Sequence, residues 1–307
     1  MTHDHHGHAH DSHGHSQPSY GRAFAIGIAL NLVYVAGEAV AGILSGSLAL
    51  LADAGHNLSD VLGLSLSWGA AVLSRRQPSG RFTYGLRSSS ILAALANAIV
   101  LLVVIGGIAW EAIWRIAHPP PVASGVIIVV AAAGIFVNGG TALLFASGSA
   151  DLNVKSAFFH LAADALVTAG VVVAGIVIWL TGWLWLDPAL SLVVSAVIVL
   201  GTWGLLKSAI GLALDAVPEG IDAPAVRAHL LALPGVVGLH DLHIWGMSTT
   251  ETALTCHLIM PGGHPGDATL NQITQQLDHS FGIHHATIQI ELADTDEACA
   301  LTPEHVV

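Results

Sequence analysis

His56 and Asp60 stand four residues apart in the hydrophobic run SLALLADAGHNLSDVLGLSLSWGAAVL. His160 and Asp164 stand four apart in a second run, AFFHLAADALVTAGVVVAGIVIWL. Residues i and i+4 of a helix share one face, so each pair presents one imidazole and one carboxylate in the same direction. Ionisable side chains inside apolar spans are costly and face a partner or a pathway. Two pairs brought together supply four nitrogen and oxygen ligands, the number a tetrahedral zinc-like ion takes. Imidazole suits zinc, cobalt, nickel or copper, and the absence of Cys and Met from both pairs argues against copper(I). Zinc therefore comes first, with cobalt and cadmium as competitors. Neutral imidazole is the ligand form, so cation release and proton uptake are linked.

The elements that must position these pairs are membrane spans. Of 307 residues, 53% are hydrophobic and only 10% charged, against roughly 25% charged in globular chains. Six apolar runs are long enough to cross a bilayer, at about 21–44, 47–73, 89–116, 122–146, 154–181 and 184–206. With the N-terminus inside, the inner loops collect Arg22, Arg75, Arg76, Arg81, Arg87, Lys155 and Lys207, and the outer side only Arg115. This asymmetry places both termini in the cytoplasm. Counting along the helices at about 1.5 Å per residue puts both pairs near the middle of a core about 30 Å thick. That depth suits a translocation site rather than a surface trap. Asp53 shares the face of His56 at i−3 and is expected beside the ion, not on it. Glu38, Asn31 and Asn138 are further polar groups within spans, Glu38 being the one most suspected of a function. Asp187 precedes a proline at the start of its helix and is expected to cap it.

The ends of the chain differ in character. Residues 1–19 hold His3, His5, His6, His8, His10, His13 and His15; this polar start is no signal peptide and reads as a disordered metal-collecting tail. From residue 208 onward twelve acids face one base, Arg227, which accounts for nearly the whole formal charge of −12. Such a surface excludes nucleic acid and favours cations. The expected domains are the tail at 1–19, a six-helix transmembrane domain at 20–207, a cytoplasmic metal-binding and dimerisation domain at 208–292, and a disordered end at 293–307. The third reads as αββαβ: two helices on one face of a three-stranded sheet. About eighty residues make a marginal core, so docking to a second copy is expected. Cys256 and Cys299 form no CxxC pattern. Strand alternation sets His240 and His243 on opposite faces.

The chain resembles the cation diffusion facilitator family in its zinc-transporting branch. The resemblance is carried by SLALLADAGHNLSD (47–60), RFTYG (81–85), FFHLAADAL (158–166), HDLHIW (240–245) and TIQIE (287–291). It implies six transmembrane helices, a metallochaperone-like cytoplasmic domain, a homodimer and proton-driven efflux of zinc or related divalent cations. It assigns His56, Asp60, His160 and Asp164 as the transport site. It also implies a cytoplasmic zinc site from His240, His257 and Glu291, with His284 or His243 as further or bridging ligands. The chain departs from some relatives at the loop after the second span, which lacks the His and Asp of an additional zinc site. It departs again at Ser88-Ser89-Ser90, where relatives often carry an acid.

Three function classes compete. A secondary transporter exporting zinc, seated in a bacterial inner membrane, accounts for every feature above. An intramembrane metalloprotease needs an HExxH-type motif, and none is present. A membrane metal sensor or binding protein shares the ligands and differs only in moving no ion. A channel is disfavoured, because four strong ligands hold an ion too long.

Overall fold

A computed structural model of the protein describes residues 21–74, 76–146 and 152–292; the side chains of 21–28, 30, 64, 67, 68, 70, 71, 74, 141–146 and 152–161 lie outside that description. The expected tails, 1–19 and 293–307, fall outside the described residues. Six long helices come first: α1 (Gly21–Ser45), α2 (Leu48–Ser74), α3 (Ser89–Ala117), α4 (Ser124–Ala146), α5 (Leu152–Thr181) and α6 (Leu186–Ala213). Among the described residues, Ser89–Ala117, Ala162–Thr181 and Leu186–Ala213 are each long and apolar enough to cross a membrane.

Large apolar side chains point outward on these helices. Phe136, Leu166 and Leu200 are each about three-quarters or more exposed. A continuous apolar exterior of this kind is a surface made for lipid. Inside, small residues let helices approach closely. Ala49 and Leu50 of α2 pack with Ile127 and Ala131 of α4 and Val171 of α5. Ala52 packs with Leu101 and Ile105 of α3 and with Val194 and Ile198 of α6. α2 is thus the shared element, touching α1, α3, α5 and α6. Gly134 of α4 is one close approach: a Cβ there would lie 2.1 Å from the Tyr34 hydroxyl.

The outer end of α2 is held by other helices. Ser47 Oγ donates to Asp187 Oδ1 at 2.5 Å and the Leu48 amide donates to Asp187 Oδ2 at 2.9 Å. Asp187 therefore caps α2, not its own helix as the sequence suggested; α6 begins with no side-chain cap. The reason is packing: the start of α6 lies against the tight turn at Gly46, so the carboxylate reaches the neighbouring helix N-terminus. Arg115 adds a hydrogen bond to the Gly46 carbonyl at 2.8 Å.

The C-terminal part has the order α7 (Ala223–Leu231), β1 (Gly238–Gly246), β2 (Thr252–Ile259), α8 (Asp267–Phe281) and β3 (Ile283–Glu291), the expected αββαβ. Asp222 caps α7 by accepting from the Ala225 amide, and Gly282, at φ 67°, ends α8. β2 is central, antiparallel to β1 and parallel to β3. Val226 and Leu230 of α7 and Ile273 and Leu277 of α8 bury the face that carries Leu239, Ile244, Leu254, Cys256 and Leu258. The β1–β2 turn rests on the membrane helices. Arg87 pairs with Glu251 at 2.7 Å, Ser88 Oγ donates to the Met247 carbonyl, and the Thr249 amide donates to Ser90 Oγ.

Candidate metal centres

α2 turns His56 and Asp60 toward α5, which turns Asp164 toward them. His56 Nε2 lies 3.1 Å from Asp164 Oδ1 and 3.8 Å from Asp60 Oδ2. One ligand atom from each of the three falls within 4.8 Å of the others. The side chain of Asp164 is 7% exposed, while His56 and Asp60 are 22% and 33% exposed, so an ion can reach the cluster. His160 lies on α5 one turn before Asp164, and its side chain is outside the described residues. Two carboxylates and neutral imidazole carry a charge of about −2, which a divalent cation cancels. The three described ligands are the mixed nitrogen–oxygen set that suits zinc-like ions.

Asp53 stays out of this cluster. It is 1% exposed and accepts a hydrogen bond from Thr168 Oγ1 at 2.9 Å; the same hydroxyl lies 2.9 Å from the Asp164 carbonyl. Beyond it sits Glu38, fully buried. The Tyr34 hydroxyl donates to Glu38 Oε1 at 2.7 Å, and Asn57 Nδ2 donates to Oε2 at 3.4 Å. Sequence reasoning singled out Glu38 and Asp53 but missed Tyr34, Asn57 and Thr168. Tyr34 was findable, since it stands four residues before Glu38 on one helix face.

The cytoplasmic cluster forms on the sheet face away from the helices. Glu291 closes β3 and bridges two imidazoles: its Oε2 lies 2.8 Å from His240 Nε2 and its Oε1 lies 2.8 Å from His257 Nδ1. The rings of His240 and His257 stand 4.9 Å apart, as directly paired residues of β1 and β2. These three offer ligand atoms within 4.8 Å of one another, a donor set that fits a zinc-like ion with a position to spare.

His240 and His243 do not lie on opposite faces. His240 pairs with His257 and His243 pairs with Thr255, with a register shift between them. Two residues of β2 thus oppose three of β1, and the extra one is absorbed by a bulge where Asp241 takes φ 53°. The slip brings both imidazoles to the same face, and Leu239 and Ile244 both to the core. Asp241 then links His243 to His257: its Oδ1 lies 2.9 Å from His243 Nε2 and its Oδ2 3.5 Å from His257 Nε2. His284 stands apart, because it opens β3 while Glu291 ends it, roughly 23 Å away at strand rise. Its Nδ1 accepts from the Thr252 amide.

The family pattern described as the cation efflux transmembrane domain matches residues 24–212. The chain belongs to the cation efflux family. The cytoplasmic domain of cation efflux proteins matches residues 218–293. The chain is similar to the cation efflux system protein CzcD of Alcaligenes sp. (strain CT14), 36% identical over 91% of this chain and 89% of that one. It is similar to the zinc transporter ZitB of Escherichia coli, 36% identical over 95% and 93%. It also matches the cadmium, cobalt and zinc/H(+)-K(+) antiporter of Bacillus subtilis, 33% identical over 84% and 85%. Among solved structures, the metal-bound C-terminal domain of the CzcD transporter from Cuprividus metallidurans is 38% identical, covers 24% of this chain and all of that one, and has a TM-score of 0.22. The cation efflux protein is thus a multi-pass membrane transporter with a cytoplasmic C-terminal domain, not an enzyme.

Proposed function

We propose that this cation efflux protein is a proton-coupled secondary transporter that exports zinc, with cobalt and cadmium as competing substrates, across a bacterial inner membrane. The observation that carries the reading is the convergence of His56, Asp60 and Asp164 from two helices onto one point. With His160, one turn before Asp164, the set becomes four-coordinate. The cation binds from the cytoplasm to neutral imidazoles and ionised carboxylates. After release outward the same groups take protons, so each step of the cycle is pH-linked. The relatives' names, a zinc transporter in one case and a cadmium, cobalt and zinc/H(+)-K(+) antiporter in another, support this assignment.

The cytoplasmic domain works as a homodimer and holds zinc through His240, His257 and Glu291. His243 acts one step out, through Asp241. The boundaries proposed for the four parts are 1–19, 20–207, 208–292 and 293–307, the first a histidine-rich collector facing the cytoplasm.

Metal-by-metal flux into proteoliposomes tests the reading. Zinc uptake should rise with an imposed pH gradient and vanish in His56→Ala, Asp60→Ala, His160→Ala and Asp164→Ala. Zinc flux that ignores the gradient, together with full transport by His160→Ala, overturns it.

A further inference from the structure

The seam between α2 and α5 is built in layers, and rising residue numbers on α2 meet falling numbers on α5. Ala49 and Leu50 pack with Val171. One turn along α2, Asp53 Oδ2 accepts from Thr168 Oγ1 at 2.9 Å. One turn further, His56 Nε2 lies 3.1 Å from Asp164 Oδ1. The two backbones come close over only a short stretch, so side chains set their separation at these levels.

Thr168 is placed to do this. It stands four residues after Asp164 on one face of α5, and its hydroxyl also sits 2.9 Å from the Asp164 carbonyl. Asp53 stands three residues before His56 on one face of α2. Two polar rungs therefore join the helices one turn apart, the first free of ligands and the second made of them. Asp53 and Thr168 are 1% and 0% exposed, so bulk water does not replace their bond if it breaks. At 2.9 Å that bond is near the long end of the O–H···O range of about 2.5–3.0 Å and has little room to stretch.

The ligand rung is spaced for a small cation. Bonds to zinc of about 2.0–2.1 Å subtend a tetrahedral edge of about 3.3–3.4 Å. His56–Asp164 and His56–Asp60 stand at 3.1 and 3.8 Å. Cadmium is larger, its bonds are longer, and its ligand edges lengthen with them. His56 and Asp60 share one helix and Asp164 stands on another, so longer edges are gained by moving α5 away from α2. The Asp53–Thr168 rung resists that movement.

We infer that the Asp53–Thr168 hydrogen bond is a selectivity tie: it holds α2 and α5 at the spacing of a zinc-sized ion and so disfavours cadmium at the transport site. Neither residue is a ligand, and Thr168 is a positioning residue. The inference rests on the transport-site reading and adds what sets the preference among the competing metals.

Metal binding by full-length protein in detergent tests it. Zinc and cadmium are titrated in competition with a chelating dye. The curve of Asp164→Ala is subtracted, which removes the cytoplasmic cluster and the N-terminal histidines from the reading. Thr168→Val keeps the side-chain shape and loses the hydroxyl. Its zinc affinity should fall roughly 10-fold while its cadmium affinity holds, so the zinc-to-cadmium ratio falls by the same factor. Thr168→Ser keeps the hydroxyl and should keep the ratio. Asp53→Ala breaks the same bond from α2 and leaves Thr168 its Asp164 carbonyl. It should reproduce the shift, and it carries the test if Thr168→Val does not assemble. The double variant should shift the ratio no further. An unchanged ratio in Thr168→Val or Asp53→Ala overturns the inference. So does an equal loss for both metals, which is what a merely structural role gives. In either case a site that still binds leaves the transport reading intact. Wild-type and Asp164→Ala curves that coincide remove the transport site itself, and the inference falls with it.

Discussion

Replacing Asp187 by alanine should lower the stability of the membrane domain, and the size of the loss follows from what the carboxylate holds. It accepts from the Ser47 hydroxyl and the Leu48 amide, and all three residues are at most 3% exposed. Losing the acceptor strands a fixed amide at a helix N-terminus and a hydroxyl that can turn. A stranded buried donor costs about 1–3 kcal/mol. Against this, removing a buried acid returns its desolvation cost. The donors should win, because the N-terminus of α2 is where a carboxylate is favoured. The net loss is about 3 kcal/mol, which for a chain of this size lowers the melting temperature by roughly 6–12 °C. Asp187→Asn keeps one carbonyl but turns an amide toward a donor, so it should fall between. The assay is tryptophan-fluorescence melting in one detergent at one scan rate, since unfolding of such proteins is rate-dependent. An Asp187→Ala protein melting within about 2 °C of the parent, or above it, refutes the capping argument.

Three further outcomes are expected. Asp241→Asn keeps the left-handed bulge, which Asn tolerates, but weakens the carboxylate that orients His257; zinc affinity of the cytoplasmic cluster should fall roughly 10–100-fold by competition with a chelator, with melting unchanged. Glu251→Arg should loosen the cytoplasmic domain from α3, read as faster protease cutting between α6 and α7, and Arg87→Glu added to it should restore protection; the pair is over a third exposed on the Arg87 side, so the stability change stays below about 1 kcal/mol. Burial, and secondarily the Asp241 carboxylate, push the Cys256 thiol up to about 12. The folded thiol keeps its proton while the unfolded one, near 9.0, loses it, so this contribution to stability is intact below pH 9 and is lost as pH rises toward 12. Thiol-reactive dye at pH 8 should label Cys256 only after denaturant is added.

The helices were legible because apolar runs of span length and short polar breaks leave little freedom. The shared face of His56 and Asp60 was legible because i,i+4 spacing fixes it without reference to the rest of the chain; that Asp164 meets it is seen only in the fold. What the sequence hid was set by contacts distant in the chain. Nothing local to Asp187 says that it caps a helix 139 residues earlier. The bulge at Asp241 carries no glycine to announce it, so strand alternation sent His243 to the wrong face. Only the paired register, with Leu239 and Ile244 both in the core, exposes the slip. Tyr34 joins Glu38 by helical spacing, yet the contact of Glu38 with Asn57 needed two helices placed side by side.

Anchoring at one end makes α2 a lever. Its outer terminus is pinned by Asp187, and the adjoining turn by Arg115. His56 lies about 13 Å along the helix from that fulcrum and Asp60 about 20 Å. A tilt of only ~5° about the pinned end moves the His56 backbone by roughly 1 Å and that of Asp60 by about half as much again. Asp164, on a different helix, does not share that motion. The 3.1 Å contact between His56 and Asp164 is therefore sensitive to rigid rocking of one helix, with no residue changing rotamer. The spacing of His56 and Asp164 is thus geared to an angle set at the opposite end of α2.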